Sequence, residues 1–359
     1  MEKKERQFGL DLIRVFAILF VFFTHGIQYK ELLYQSVETT EWSYILVLRF
    51  LALSCVPLFV ILTGFLNETS EANSKHYKKI IPLIISYVFI SLLELIGTTI
   101  FVYADGKTQY IPDNLKLINW PIEIIRMFNF TENSYAWYFE MYIGLFLLIP
   151  FLNILWNNVK TKKEKIILIV SLVFLTMIPR TLEGIRFDWI EGKNLEGWLD
   201  VAPDYWKIMY PLALFFIGKY IRDYRPNFNI ILKLLLIVVS LAIPVLCCYF
   251  VSQKQGTYAW YVCNGFGTIT NAFVATSVFL AFYTIKLNIP IIPKIFSQVA
   301  ICSFDMYLFS SIFDKILYYN FKELSYFATA GIVFACTFIS ARIWIWIRDL
   351  LFKKLIKLY

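Results

Sequence analysis

Histidine is almost missing from this chain: there are two, His25 and His76. The six cysteines (Cys55, Cys247, Cys248, Cys263, Cys302 and Cys336) lie in or beside apolar segments. None has metal-ligand or redox spacing, so no metal is expected and the cysteines read as packed thiols. No polar stretch between apolar runs exceeds about 35 residues, too short to bury a core of its own. The expectation is one membrane-embedded domain over residues 1–359 with no separate soluble domain. The first apolar segment carries Arg14 and His25 and lacks a small-residue cleavage site, which excludes a cleaved signal peptide. Internal repeats and low-complexity segments are missing as well.

What fills the chain instead is apolar: 59% of its 359 residues, against about 45–50% in a soluble domain. Long apolar runs with few charges mark transmembrane helices, so the fold class is all-α, a polytopic integral membrane protein. The net charge of +8 does not imply a nucleic-acid partner, because the lysines fall in short loops between apolar runs.

Ten apolar segments are legible, at 10–28, 43–66, 80–103, 137–156, 165–180, 206–222, 230–251, 264–285, 297–318 and 326–347. Each is long enough to cross about 30 Å of hydrocarbon, with allowance for tilt. The N-terminal tail (Lys3, Lys4, Arg6) and every second loop are basic, through Lys75, Lys78, Lys79, Lys160, Lys162, Lys163, Lys165, Lys219, Arg222, Arg225, Lys286 and Lys294. The C-terminal tail is basic too, with Arg348, Lys353, Lys354 and Lys357. The intervening loops are acidic or near neutral: Glu31, Glu38 and Glu41 in one, and Glu183, Asp188, Glu191, Glu196, Asp200 and Asp204 in another. An even number of spans with both termini in the cytoplasm fits throughout. The run Trp120–Phe128 reads either as a short interfacial helix or as connecting loop.

Ionisable residues inside the spans are expensive and are functional-site candidates. Asp11, Arg14 and His25 share one face of the first segment. His25 is about 20° from Arg14 on a helical wheel and about 16 Å further along the axis. The topology puts Arg14 near the cytoplasmic face and His25 in the outer half. Arg49, Glu94 and Glu140 fall at comparable outer depth on the next three segments, and Asp305 lies near the middle of the ninth. A histidine beside a carboxylate is an arrangement suited to general-base chemistry. The plainer alternatives are an interhelical ion pair, Arg49–Glu94 or Arg49–Glu140, and a satisfied core histidine. His76, in a basic cytoplasmic loop, is expected to be solvated.

The Asp-x-x-Arg-x10-His pattern of Asp11, Arg14 and His25 resembles the first helix of the acyltransferase 3 family, integral-membrane O-acyltransferases of bacterial surface glycans. Other stretches agree in order. Val56–Leu66, closing in Thr63-Gly64-Phe65, is similar to the family's second-helix ending. Lys78-Lys79-Ile80-Ile81-Pro82 resembles its basic-then-proline approach to the third helix. Trp137-Tyr138-Phe139 with Gly144–Pro150, and Ser303–Leu308, resemble later motifs. The chain departs from the family at Ser310, where many members carry a histidine, and no extracellular hydrolase-like domain follows.

The resemblance implies transfer of an acyl group, acetyl above all, from cytoplasmic acyl-CoA (acetyl-CoA as co-substrate) to a glycan hydroxyl at the outer face of a bacterial cytoplasmic membrane. The acceptor is open among exopolysaccharide, teichoic acid, peptidoglycan and lipid-linked oligosaccharide. Arg14, held by Asp11, with Lys78 and Lys79, would meet the anionic donor. His25 would act as general base or acyl carrier, oriented by Glu140 or by Glu94. Arg49 would steady the oxyanion. The competing reading is a secondary transporter or glycan flippase that uses the same charges as a proton relay. A structural or sensory subunit is a third.

Overall fold

The structure, a computed structural model, describes residues 6–105, 116–129, 135–183, 202–287, 289 and 291–352. Most of the tail lysines and the acids Asp188, Glu191, Glu196 and Asp200 lie outside the described residues. The described chain is α-helical, with no strand in it. Its elements are α1 (Phe8–Tyr29), α2 (Thr40–Ala52), α3 (Cys55–Leu66), α4 (Ser74–Lys78) and α5 (Ile81–Asp105). Then come α6 (Trp120–Phe128), α7 (Trp137–Asn158), α8 (Lys162–Thr176), α9 (Ile178–Glu183) and α10 (Asp204–Ile208). The last are α11 (Tyr210–Tyr224), α12 (Ile230–Gln255), α13 (Ile269–Phe282), α14 (Ile291–Asn320) and α15 (Tyr326–Leu351).

Local sequence starts many of these helices. Thr39, Asn73, Thr161, Asn229, Thr268 and Ser325 each accept a first-turn amide with their side chain, satisfying a donor the helix cannot. Prolines divide three of the apolar segments. Pro57 has no N–H for the Leu53 carbonyl, and the second segment breaks there between α2 and α3. Pro179 follows the turn at Met177 that separates α8 from α9, and Pro211 follows the turn at Met209 that opens α11. Pro150 and Pro244, by contrast, sit inside continuous helices.

Each of the ten apolar segments contains helix. Among the described residues, eight helical stretches are long and apolar enough to cross a membrane. The sixth and eighth segments differ: α11 has 15 residues and α13 has 14. At 1.5 Å per residue they rise about 21–23 Å, short of a hydrocarbon core of about 30 Å. Run Trp120–Phe128 is a helix, with Met127 packed against Leu95 and Glu123 paired with Arg126 at 2.7 Å.

The chain forms two compact units, one from residues 1–70 and 152–300 and one from residues 71–151 and 301–359. In the first, α3 and α11 touch backbone to backbone. A Cβ on Gly64 would lie 2.0 Å from the Phe215 carbonyl oxygen, and one on Gly218 would lie 2.1 Å from that of Ile61. Four residues beyond each glycine, Glu68 meets Arg222 at 2.5 Å, so the two helices run parallel. The same end of the unit is basic. Asp223 accepts Lys165 and the Trp156 indole, both at 2.8 Å, and the Phe65 ring lies under Arg222 and Arg225. The Gly9 amide donates to the Ile285 carbonyl at 3.1 Å, which sets the start of α1 against the end of α13.

In the second unit Ser86 accepts from the Trp344 indole (2.9 Å) and from Arg348 (3.0 Å), with Trp344 stacked on Phe89. Arg348 also lies 3.6 Å from the buried carboxylate of Asp305. His76 is not solvated as expected. It is 2% exposed, stacked on Phe146, with Nε2 3.0 Å from the Phe146 carbonyl oxygen. The short helix α4 turns it inward, and its aromatic body gains more by stacking than by facing water.

Candidate active site

His25 lies one turn from the C-terminus of α1 and is half-buried. The residue before it, Thr24, is buried, and its carbonyl accepts from Arg49 Nη1 at 3.4 Å. Arg49 is half-buried near the end of α2, one turn before the Leu53–Ser54 break. Its Nε and Nη2 grip the side-chain oxygen of Asn264 at 3.3 and 3.1 Å. Asn264 belongs to the segment that joins α12 to α13. One guanidinium thus fastens that loop to the backbone beside His25.

Helix register places further groups at this depth. Gly218 faces Gly64 across the α3–α11 contact, so Tyr210, eight residues earlier, is level with Val56 and Cys55. Cys55 in turn is within electrostatic reach of Arg49 and touches Thr24. α13 runs antiparallel to α1 and ends beside Gly9, so its 14 residues begin at the depth of Thr24. The short helices α11 and α13 therefore begin at the level of His25, where α2/α3 and α8/α9 also break. Non-helical backbone at membrane depth occurs only where it is buried in protein or lines a wet cavity.

The 256–268 segment is heavily braced. The Ser252 hydroxyl accepts the Ala259 amide at 2.9 Å. Asn271 Nδ2 donates to the Gly265 carbonyl at 2.6 Å, and Thr268 Oγ1 to the same oxygen at 2.9 Å. Thr181 on α9 accepts the Ile269 amide at 2.9 Å and donates to the Met177 carbonyl at 2.7 Å, tying the α8/α9 break to the start of α13. Cys263 holds a left-handed φ of 55°, a conformation that costs a residue with a Cβ about 1–3 kcal/mol and persists only when its surroundings fix it. Tyr258 packs on Trp42 and Tyr34 and lies beside Arg49. Burial raises its phenol pKa, so it stays a neutral donor.

Arg180, the third residue of α9, completes the cluster. A Cβ on Gly265 would lie 3.3 Å from its Nε, and one on Gly267 would lie 3.2 Å from its Cδ and 2.7 Å from the Tyr210 ring. The Gly265-Phe266-Gly267 stretch can lie flat on Arg180 and Tyr210 because both flanking positions lack a side chain. Sequence reasoning passed over Arg180 and Asn264. The available signals were Pro179 directly before Arg180 and the paired glycines.

Asp11 is buried, but its partner is Arg6, not Arg14: Arg6 Nε and Nη2 reach its two oxygens at 3.0 and 2.7 Å. Arg6 precedes the helix, so its fork can close on both oxygens, a geometry that a residue one turn along the same helix matches poorly. Arg14 is half-buried on α1. In the second unit, buried Glu94 accepts from Lys315 at 2.5 Å and from Ser311 at 2.8 Å. Glu140 is exposed on α7, Lys78 is half-buried and Lys79 exposed. Ser310, where many family members carry a histidine, bonds back to the Tyr307 carbonyl at 2.7 Å.

Half-buried His25 can accept a proton, and Arg49, fixed on the backbone one residue before it at a depth where several helices break, can stabilise a developing negative charge. Fold and site define a multi-pass membrane protein with a cationic candidate site. The chain belongs to the acyltransferase 3 family: that family's acyltransferase domain matches residues 7–347, nearly the whole length. It is a membrane acyltransferase. No curated protein and no solved structure matches it.

Proposed function

We propose that this acyltransferase moves an acyl group, acetyl above all, from cytoplasmic acyl-CoA to a hydroxyl of a cell-surface or lipid-linked glycan in a bacterial cytoplasmic membrane. The observation that carries the reading is Arg49 bound to the carbonyl next to His25, in a chain of this family. His25 takes the proton of the acceptor hydroxyl as its oxygen attacks the thioester carbonyl. Arg49 stabilises the resulting oxyanion. Collapse breaks the C–S bond, and the departing thiolate takes the proton back from the imidazolium. Transfer through an acyl-His25 intermediate is the two-step version of the same chemistry.

Arg14, on the face of α1 below His25, meets the anionic donor, and Lys78 and Lys79 add positive potential for its phosphates. Asp11 takes part indirectly, by fixing Arg6 at the start of the same helix. The interrupted helices also favour a second reading, a transporter or flippase, since transporters bind substrate at such breaks. Release of free CoA thiol from acetyl-CoA separates the two. Glycan-dependent thiol release by the purified protein supports acyl transfer. Glycan movement across vesicles without thioester loss would replace it by transport.

A further inference from the structure

Two guanidiniums approach consecutive residues of one braced loop, Arg49 at Asn264 and Arg180 at Gly265. Arg49 donates to a neutral amide oxygen and a backbone carbonyl, with the neutral Tyr258 phenol beside it, and meets no described carboxylate. Arg180 donates to no described residue, and no described carboxylate pairs with it; its electrostatic neighbour is the Tyr210 phenol. A half-buried site with this charge excess is built to receive an anion.

A second observation points the same way. The side-chain oxygens of Thr24, Tyr258 and Asn271 are buried with no hydrogen-bond partner among the described residues. All three belong to this cluster: Thr24 through its carbonyl on Arg49, Tyr258 beside Arg49, and Asn271 through its bond to Gly265. Two of these oxygens are hydroxyls, able to donate to an anion. The third is an amide oxygen, able to accept from a hydroxyl. An acidic sugar offers both an anionic group and hydroxyls.

We infer that Arg180 anchors an anionic group of the acceptor, a carboxylate or a phosphodiester on the glycan, and so holds a neighbouring hydroxyl toward His25. The inference rests on the acyltransfer reading for the identity of the bound molecule as acceptor. Gly265 and Gly267 let the loop backbone come close to the Arg180 guanidinium, and the nearby acids Glu183 and Asp204 are paired with Lys207 instead. Arg49 contributes potential while its own hydrogen bonds hold the loop.

The test is equilibrium binding to the full-length protein in lipid nanodiscs, with three probes of equal length. These are a neutral glucose oligomer, a glucuronate-containing oligomer and a glycerol-phosphate oligomer. At least one anionic probe is expected to bind about tenfold or more tightly than the neutral one at low salt. Which one it is distinguishes carboxylate from phosphodiester. Arg180→Gln erases the preference, Arg180→Lys keeps part of it, and a melting temperature close to the parent's confirms that each variant is folded. Raising the salt weakens the preference in the unmodified protein, a readout that needs no substitution. Equal binding of all three probes, or a preference that survives in folded Arg180→Gln, overturns the inference. Binding does not depend on turnover. A protein that prefers acids but never consumes acyl-CoA would sink the acyltransfer reading alone, and an active protein indifferent to acceptor charge would sink the anchor alone.

Discussion

Replacing Gly218 with alanine sets a methyl group 2.1 Å from the Ile61 carbonyl oxygen and 2.9 Å from the Phe65 amide nitrogen. Side-chain Cβ atoms essentially never come within 3.0 Å of such an atom, so α3 and α11 must part by about 0.9 Å. Gly64→Ala is the reciprocal case, at 2.0 Å from the Phe215 carbonyl oxygen. Both obstacles are backbone, so no rotamer change relieves them. Overpacking of this kind costs about 1–3 kcal/mol, against a gain of about 0.5–1 kcal/mol from replacing a helical glycine. The net expectation is a loss of up to about 2 kcal/mol for either variant. Gly97 and Gly144 supply the control, because a Cβ at either meets nothing within 4 Å. There the helical gain stands unopposed. Thermal unfolding of the detergent-solubilised protein should therefore rank Gly144→Ala at or above the parent, and Gly64→Ala and Gly218→Ala below it. α3 and α11 carry Cys55 and Tyr210 at the depth of His25, so the two destabilised variants should lose activity as well. If Gly218→Ala melts with the parent or above it, the backbone contact and the register built on it are wrong.

Other perturbations follow from the same contacts. Thr181→Val removes the acceptor of the Ile269 amide and should cost about 1–3 kcal/mol, with Thr181→Ser restoring most of it; an unchanged melting temperature would detach α9 from α13. Trp42→Phe loses the 3.0 Å bond from the indole to the Leu33 carbonyl and should cost about 1 kcal/mol by thermal unfolding; no loss would mean that this bond is not made. A double-mutant cycle on Glu94→Gln and Lys315→Met should give a coupling of about 0.5–2 kcal/mol, reduced by the partial exposure of Lys315; zero coupling would remove the pair. Arg14→Ala should raise the apparent KM for acyl-CoA, and an unchanged value would end its donor role.

Much of the architecture was legible because membrane burial writes itself into long apolar runs. The ten segments and the alternation of basic loops follow from that single constraint, while Trp120–Phe128, open between helix and loop in the sequence, is a helix. The interruptions were less legible. A hydropathy window averages across Pro57 and Pro179, so α2 with α3 and α8 with α9 read as unbroken spans, although each proline stands within four residues of its break. The shortness of α11 and α13 was hidden for the same reason, since apolar residues outside these helices, Met209 before α11 and Phe266 before α13, extend the runs. At the candidate site, His25 and Arg49 were visible as ionisable groups out of place in apolar segments. Arg180 sat at the end of one counted span and Asn264 at the start of another, where a polar residue is unremarked. The Asp11–Arg14 pairing failed because helical spacing states which residues share a face, while Arg6, outside the helix, is free to reach both carboxylate oxygens. His76 was misread because a basic neighbourhood in sequence says nothing of the Phe146 ring that covers it.

The most direct test is transfer of labelled acetyl from acetyl-CoA to glycan by purified protein, parent against His25→Ala, with matched melting temperatures. The account predicts label on the glycan with the parent and a loss of about 10²-fold or more with His25→Ala. Full transfer by folded His25→Ala would contradict it.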